Sequence, residues 1–377
     1  MRKRIFLNCL VAASFVIGLA MMSGCEGPAG PAGPAGADGT DGTNGTNGTN
    51  GTDGTDGVDG NITCLECHSA DNPQAKLEQF NQSVHAAGQI AVDYAGGRSS
   101  CAQCHSSEGF IEFARNGEVA ENISAPSAWE CKTCHNIHQT FEQTDYALRL
   151  ADPIAFIYDE TVTADFANSN LCVNCHQTRR AEPNISAPGD SFNITSTHYG
   201  PHHGPQGNLL NGVGFAEIVG DFSYPAAGSA NHMDEAARCT GCHMYEYGNG
   251  SGGHTFNPAL DACNTCHEAT DTDFNYKNQQ TEIEGLLEDL MALLEARGVI
   301  EEGTEEIYEI NQETGVIELV VYTEGYHPVV GMHSMIEAQA FFNWVGIEED
   351  RSLGVHNPEY IKALLENSIK GLEDSAP

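Results

Sequence analysis

Cysteine and histidine recur together at one fixed spacing along the chain. The pattern Cys-x-x-Cys-His occurs six times: at Cys64, Cys67 and His68; at Cys101, Cys104 and His105; at Cys131, Cys134 and His135; at Cys172, Cys175 and His176; at Cys239, Cys242 and His243; and at Cys263, Cys266 and His267. Two thiols separated by two residues can form thioethers with the two vinyl groups of one haem, and the following histidine is then placed to bind the iron. The pattern predicts six covalently attached c-type haems, with these histidines as proximal ligands.

Zinc ligation, disulfides and thioredoxin-like redox motifs are the alternative uses of such cysteines. Zinc sites combine paired cysteines with distant ligands and do not require a histidine after every second cysteine, and redox motifs occur singly. The six motifs use 12 of the 14 cysteines, and the other two, Cys9 and Cys25, lie near the N-terminus. The count therefore favours haem over a disulfide framework.

Histidines outside the motifs are candidates for the second axial position of each iron. The chain has 16 histidines, so ten remain after the six proximal ones. Two histidine ligands give low-spin iron that transfers electrons, whereas an open position permits substrate binding. The surplus favours electron transfer. We predict the distal ligands to be His85, His138, His198, His203, His232, His254 and His356, with His198 and His203 favoured over His202, and His356 over His327 and His333.

The motifs are too close together for each haem to have a domain of its own. All six lie between Cys64 and His267, in segments rich in Gly, Pro, Asn and Ser. The haems are therefore expected to pack against one another and to supply much of the apolar core, without which this region should not fold. We predict a mainly α, haem-packed fold with short helices, extensive irregular loops and little sheet, and a hexahaem domain over 61–270.

The C-terminal part, residues 271–377, contains no cysteine. A capping box at Thr281–Glu284 and an apolar stripe predict a helix that ends near Gly298. The sequence predicts a small β-hairpin over 306–322 and a second helix over 333–344. Asn357 followed by Pro358 indicates the start of a third helix. We expect a haem-free helical cover over the haem stack. A separate functional domain is the alternative.

The N-terminus has the pattern of an export signal. Arg2, Lys3 and Arg4 precede an apolar stretch from Ile5 to Met22, and small residues then precede Cys25. This arrangement predicts a lipoprotein signal peptide over 1–24, with Cys25 as the lipid anchor. A plain cleaved signal and an uncleaved helical anchor are the alternatives. All three place the rest of the chain outside the cytoplasm.

A glycine at every third position marks the segment 25–60. Such a period is collagen-like, because only glycine fits at the axis of a triple helix. Pro28, Pro31 and Pro34 are the only imino residues in the segment. A solvated spacer that holds the folded part away from a membrane is therefore favoured over a trimeric triple helix.

The charge of the chain limits its partners. Lys and Arg total 16 against 53 Asp and Glu, a formal net charge of −37. Nucleic-acid binding depends on clustered Lys and Arg, so this partner is excluded. Acidity of this size favours cationic docking patches on partner proteins and salt-sensitive association.

With six complete motifs, the chain resembles the bacterial multihaem c-type cytochromes over residues 61–377. The segments His198–Gln206 and Asp350–Tyr360 resemble parts of multihaem cytochromes related to the nitrite- and hydroxylamine-transforming group, although no Cys-x-x-Cys-Lys motif occurs. The signal and acidic spacer resemble surface-exposed cytochromes of metal-reducing bacteria. That resemblance implies an exported lipoprotein, at the outer membrane or periplasm, in extracellular electron transfer.

Three functions follow as hypotheses. The favoured one is an electron carrier rather than an enzyme, anchored through Cys25, which passes electrons through six bis-histidine haems to a redox partner or extracellular acceptor. The second is a reductase or dehydrogenase of a small nitrogen or sulfur compound with one open haem. The third is a subunit of a polymeric cytochrome filament or a trimer held by the Gly-x-y segment.

Overall fold

A computed structural model describes residues 72–139, 145, 147–183, 191–246, 252–267, 273–310 and 317–375. The predicted signal peptide with Cys25, the Gly-x-y spacer and the first motif lie outside the described residues. Within these ranges, no helix combines the length and the apolar character needed to cross a bilayer.

The described chain is built from short helices, three long C-terminal helices and paired strands. The helices are α1 (Asn72–Phe80), α2 (Gln89–Ala91, continued by a π-turn over Val92–Gly96), α3 (Ser99–His105), α4 (Ser107–Asn116), α5 (Cys131–Cys134), α6 (Asn170–Val173), α7 (Gln206–Asn211), α8 (Cys239–His243), α9 (Leu260–Cys263), α10 (Gln279–Ala296), α11 (Met335–Asp350) and α12 (Pro358–Asp374). The strands are β1 (Ile154–Phe156), β2 (Asp159–Ala164), β3 (Ser191–Ile194), β4 (Ile300–Ile310), β5 (Ile317–Pro328) and β6 (Gly331–Ser334).

The first cysteine of each described Cys-x-x-Cys-His motif lies in a short helix. Helices α3, α5, α6, α8 and α9 each contain at least one cysteine of a motif. A single turn brings side chains three and four positions apart onto one face, so both cysteines and the histidine of a motif can meet one planar group. The prediction of short helices around the motifs, joined by irregular loops, is confirmed for these five.

Sheet is limited to three antiparallel pairs in the described part of the chain. Strand β1 pairs with β2, β3 with β6, and β4 with β5. The β4–β5 pair runs from Ile300↔Pro328 to Ile310↔Ile317, so the predicted hairpin over 306–322 exists but is longer than the sequence indicated. The β3–β6 pair joins the segment after the fourth motif to the start of α11 and thereby docks the C-terminal part.

The starts of the three long helices agree only in part with the sequence prediction. Asn357 caps α12, where its Oδ1 accepts a hydrogen bond from the Tyr360 amide at 3.3 Å, and Pro358 is the first helical residue, as predicted. The capping box predicted at Thr281–Glu284 is wrong, because α10 already begins at Gln279. Thr281 is instead held by Asn275, whose Nδ2 donates to Thr281 Oγ1 at 2.7 Å.

The largest apolar core lies in the C-terminal half. It joins α10, α11 and α12 to the segment 194–218 and includes Ile194, Leu290, Phe341 and Tyr360. Residues 72–139, in contrast, bury four apolar side chains, which are Val92, Ala95, Ala102 and Phe110. Apolar burial drives folding, so the region around the second and third motifs needs apolar contacts beyond its own side chains.

Candidate metal centres

The five described motifs each bring their histidine close to a histidine from elsewhere in the chain. We name sites 1 to 6 after the six motifs in chain order. The pairs, with the distances between ring centroids, are His105 with His202 at 6.1 Å (site 2), His135 with His254 at 6.3 Å (site 3), His176 with His85 at 6.1 Å (site 4), His243 with His356 at 6.4 Å (site 5) and His267 with His232 at 6.2 Å (site 6).

Site 1 lies outside the described residues. Its predicted attachment cysteines, Cys64 and Cys67, and its predicted proximal ligand, His68, all precede Asn72, where the described part of the chain begins. Haem attachment at Cys64 and Cys67, and iron ligation by His68, therefore stay predictions from the motif alone.

The described cysteines differ in exposure. Cys131 of site 3 and Cys266 of site 6 are exposed, whereas the other eight are half-buried. The motif of site 6 is not wholly helical, because α9 ends at Cys263 and Cys266 lies in the turn that follows, where its amide donates to the Cys263 carbonyl at 3.1 Å. Cys266 thus lies at the edge of its site. The thioethers of Cys263 and Cys266 to haem stay predictions.

The separations between paired rings fit one metal ion between two imidazoles. A metal–imidazole bond measures about 2.0 Å, so two rings that bind one ion from opposite sides have centroids roughly 6 Å apart. The spacing is too long for a hydrogen bond between the two rings. The ten described motif cysteines are free thiols, which stand in for the thioethers of an attached haem. Donor type and spacing in all five sites therefore fit haem iron.

Hydrogen bonds at the outer ring nitrogen orient several of these histidines. Nδ1 of His243 lies 2.8 Å from the Phe256 carbonyl oxygen, and Nδ1 of His232 lies 2.6 Å from that of Val355. A carbonyl oxygen only accepts, so Nδ1 carries the proton in both rings and Nε2 keeps its lone pair. Such outer partners fix the tautomer that a metal needs.

Burial keeps several of the non-motif histidines in the neutral form that binds metal. It lowers the pKa of His85, His202 and His254 to about 4 in each case. The His176 ring near His85 lowers that pKa further, and His203 does the same for His202. An uncharged imidazole can offer its lone pair to iron without first losing a proton.

Direct contacts between motifs arrange four sites in a row. Between sites 2 and 4, Gln103 Nε2 donates to the Asn174 carbonyl at 3.1 Å, and Cys104 lies within hydrogen-bonding reach of Cys175. Between sites 4 and 5, the Thr240 amide donates to Ser169 Oγ at 3.1 Å. Helices α8 and α9 of sites 5 and 6 pack together. The motifs therefore follow one another in space as 2, 4, 5 and 6.

Phe256 links site 3 to this row. Its ring centroid lies 4.9 Å from that of His85 in site 4 and 6.0 Å from that of His254 in site 3. Its carbonyl oxygen also accepts the hydrogen bond from His243 in site 5. One residue in the left-handed backbone region, with φ 57°, thus contacts histidines of three sites.

The loop between α11 and α12 supports histidines of three sites. Asp350 Oδ1 accepts a hydrogen bond from His356 Nδ1 at 2.6 Å in site 5, and the Val355 carbonyl accepts from His232 in site 6. Gln206 connects this loop to site 4. Its Nε2 donates to the Asp350 carbonyl at 3.4 Å, and its Oε1 lies 3.1 Å from His176 Nδ1. The predicted cover thus contributes to the sites themselves.

Gly354 is the residue that lets this loop return to site 5. Its φ is 89°, and an added Cβ would lie 2.7 Å from Ile283 Cγ1. We expect Gly354→Ala to destabilise the protein by about 2 to 3 kcal/mol, from left-handed strain and steric overlap together. Gly298→Ala is the matched control, because φ is 68° there and no atom lies within 4 Å of the added Cβ. Its expected cost is about 1 kcal/mol. Urea unfolding of the holoprotein measures both, and equal losses would contradict the assigned role of the clash.

The predicted distal residues fall into two groups. His85, His232, His254 and His356 each lie opposite a motif histidine, as described above. His198 is exposed, and its amide donates to Ser196 Oγ at 3.1 Å. His203 is exposed on 74% of its side chain, with Nδ1 2.7 Å from Glu349 Oε2. His138 is exposed, has a φ of 55° and faces none of the five described motif histidines in these pairs.

His202 is the residue that sequence reasoning ranked below its neighbours. It has a φ of 79°, in the left-handed region, and Gly204 follows with a φ of 89°. This turn directs the His202 ring toward His105 and leaves His203 on the surface. The Gly/Pro setting of the loop was the only sequence signal for such a backbone, and it does not say which histidine turns inward.

His333 is used within the C-terminal part. Its Nε2 donates to the Val329 carbonyl at 2.7 Å, at the turn between β5 and β6. An Nε2 that donates a proton has no lone pair for a metal. This agrees with the preference for His356 over His333.

Comparison with known proteins gives a sequence relative and two structural neighbours. No family model matches the chain. The chain is 23% identical over 273 residues to the C-type polyheme cytochrome OmcB of Geobacter sulfurreducens, a match that covers 63% of this chain and 33% of that protein. The chain thus spans about a third of the length of the curated relative it matches.

Two solved structures resemble the fold at low sequence identity. The outer cell wall cytochrome OcwA is 16% identical with a TM-score of 0.48, over 79% of this chain and 50% of that one. An undecaheme cytochrome from the S-layer of Carboxydothermus ferrireducens is 15% identical with a TM-score of 0.45, over 78% of this chain and 40% of that one.

Proposed function

We propose that the chain transfers electrons outside the cytoplasm through six covalently attached c-type haems, each ligated by two histidines. The observation that carries the proposal is the opposition of a non-motif histidine to the motif histidine in all five described sites. Two imidazole ligands leave no exchangeable position on the iron, so such a site changes its charge without binding a substrate.

The side chains of this chain would hold and insulate the group. The cysteines of each motif would attach it, and the motif histidine and the histidine paired with it would ligate its iron. Haem iron supplies one-electron redox chemistry when bound. His85, packed against Trp129 and Phe256 with ring centroids 5.8 and 4.9 Å away, shows how the surroundings exclude water from a ligand.

The row of sites 2, 4, 5 and 6 favours the transfer of electrons from site to site over the storage of electrons on separate sites. Consecutive members share hydrogen bonds or packed helices, and site 3 joins them at Phe256. Electrons that enter at one end can thus pass between neighbours without leaving the protein. An isolated catalytic haem would not need such continuity.

Export and tethering complete the proposal. The signal over 1–24 would be removed and Cys25 lipidated, and the Gly-x-y spacer would hold the haem-bearing part away from the membrane. The similarity to OmcB, a polyheme cytochrome, supports the electron-transfer role. The net charge of −37 favours a cationic surface on the partner protein. At site 1, His68 remains our prediction for the proximal ligand, and His138 remains one of the predicted distal ligands.

Electron paramagnetic resonance and optical spectra of the purified holoprotein test this proposal. We expect only low-spin haem, unchanged by nitrite, hydroxylamine or cyanide, because both axial positions are filled. A His356→Ala variant provides the positive control, since the position opened at site 5 should bind cyanide. A high-spin signal in the unmodified protein that shifts with nitrite or hydroxylamine, together with turnover, would instead establish the reductase alternative.

A further inference from the structure

Site 5 differs from its neighbours in the group that accepts the outer hydrogen bond of a ligand histidine. His356 Nδ1 donates to Asp350 Oδ1 at 2.6 Å, and the Asp350 side chain has no exposed surface. His176, His232 and His243 in sites 4, 6 and 5 face the Gln206 amide or backbone carbonyls instead. A full negative charge therefore contacts His356, whereas neutral dipoles contact these three rings.

The Asp350 carboxylate is held in place from several directions. It is the last residue of α11, and Arg351 and Leu353 follow in the left-handed region with φ of 58° and 48°. Ser352 Oγ donates to the second carboxylate oxygen, Oδ2. A bulky residue adopts φ near +50° only with backbone strain, which the surrounding packing must offset. The loop thus retains strained backbone while it keeps this carboxylate against His356.

A buried carboxylate has a specific effect on a metal-bound imidazole. Its hydrogen bond raises the basicity of the ligand, and the fixed negative charge acts through a medium of low dielectric constant. Both effects stabilise the oxidised, more positive iron over the reduced one.

We infer that Asp350 is a positioning residue that lowers the reduction potential of site 5, so that an electron crossing the row 2, 4, 5, 6 meets its least favourable step there. The inference rests on the proposed ligation of site 5 by His243 and His356. Reduction of the site adds one electron from a neighbouring site to the iron, and the proton stays on His356 Nδ1. When the partner donates at the site 2 end, electrons then remain longest on sites 2 and 4. When it donates at the site 6 end, they leave again through site 6.

Redox titration of the holoprotein, followed optically, tests the inference with two substitutions of opposite sign. Asp350→Asn keeps the shape and an acceptor oxygen but removes the charge, so one of the six one-electron steps should move to a higher potential. We expect about a tenfold change in the equilibrium constant, which is about 59 mV for one electron. Ser352→Ala frees Oδ2 and strengthens the carboxylate as an acceptor, so the same step should move to a lower potential by a smaller amount.

Glu359→Gln is the matched control. Glu359 is an exposed carboxylate in the first turn of α12, which follows the same loop. Solvent screens its charge, so all six potentials should stay unchanged. If the loss of any carboxylate next to this loop shifted the potentials, this control would shift as well.

Each outcome either supports or overturns the inference. Unchanged potentials in Asp350→Asn, with all haems attached and low-spin, would overturn it. Should that variant not accumulate, the direction of the shift in Ser352→Ala decides, and an upward or absent shift overturns the inference. His356→Ala separates the two proposals. If this variant leaves every haem low-spin, the proposed ligation of site 5 is wrong. If it produces one new high-spin haem while Asp350→Asn leaves all potentials unchanged, only the role of Asp350 is refuted.

Discussion

Replacing His202 by alanine should convert one low-spin haem to a high-spin form, whereas replacing His203 should leave every haem low-spin. The two residues are adjacent on one Gly/Pro loop, but only the His202 ring lies opposite a described motif histidine, 6.1 Å from His105. Loss of one of two axial imidazoles opens a position on the iron. The change is measured by electron paramagnetic resonance, as one new high-spin signal of six haems.

The His203→Ala variant is the internal control for this prediction. Its exposed ring pairs with the half-buried Glu349, and an ion pair that solvent reaches on one side contributes about 0 to 1 kcal/mol. Thermal unfolding should therefore differ little between this variant and the unmodified protein. The assignment of site 2 is wrong if His203→Ala produces the high-spin signal and His202→Ala does not.

Blocking haem attachment should unfold the region of the second and third motifs and leave the C-terminal helices folded. Residues 72–139 bury four apolar side chains, whereas α10, α11 and α12 share the large core with Leu290, Phe341 and Tyr360. Hydrogen exchange of the chain produced without the attachment machinery measures the difference. Protection of α3 and α4 should fall by about a hundredfold or more, since their opening would cost roughly 3 kcal/mol less.

Protection of α10 is the control within the same molecule. Its buried residues Ile283, Leu287, Leu290 and Leu294 belong to the large core of the C-terminal half, so exchange there should remain slow without haem. Uniform loss of protection over the whole chain would show instead that the C-terminal part depends on the haems. Retained protection of α3 and α4 would contradict the view that their region lacks a core of its own.

Features that depend on neighbours in the sequence were predicted well. Short helices at the motifs and the start of α12 at Asn357 and Pro358 follow from spacing and capping chemistry, which act over a few residues. Errors appeared where a residue outside the predicted element competes. The capping box at Thr281–Glu284 is displaced because Asn275 holds Thr281 and α10 starts earlier, and the β4–β5 hairpin extends beyond the most β-prone residues because pairing continues on both strands.

The sequence by itself determined the chemistry: Cys-x-x-Cys-His is a local unit, and its repetition predicts what is bound and how often. Only the tertiary structure decided which histidines face each other. His85 precedes the second motif yet lies opposite His176 of the fourth, and His254 lies opposite His135 of the third. Such pairs form between segments about a hundred residues apart. Backbone turns such as that at His202 and the packing of the whole chain set the direction of each ring, and no local pattern records that direction.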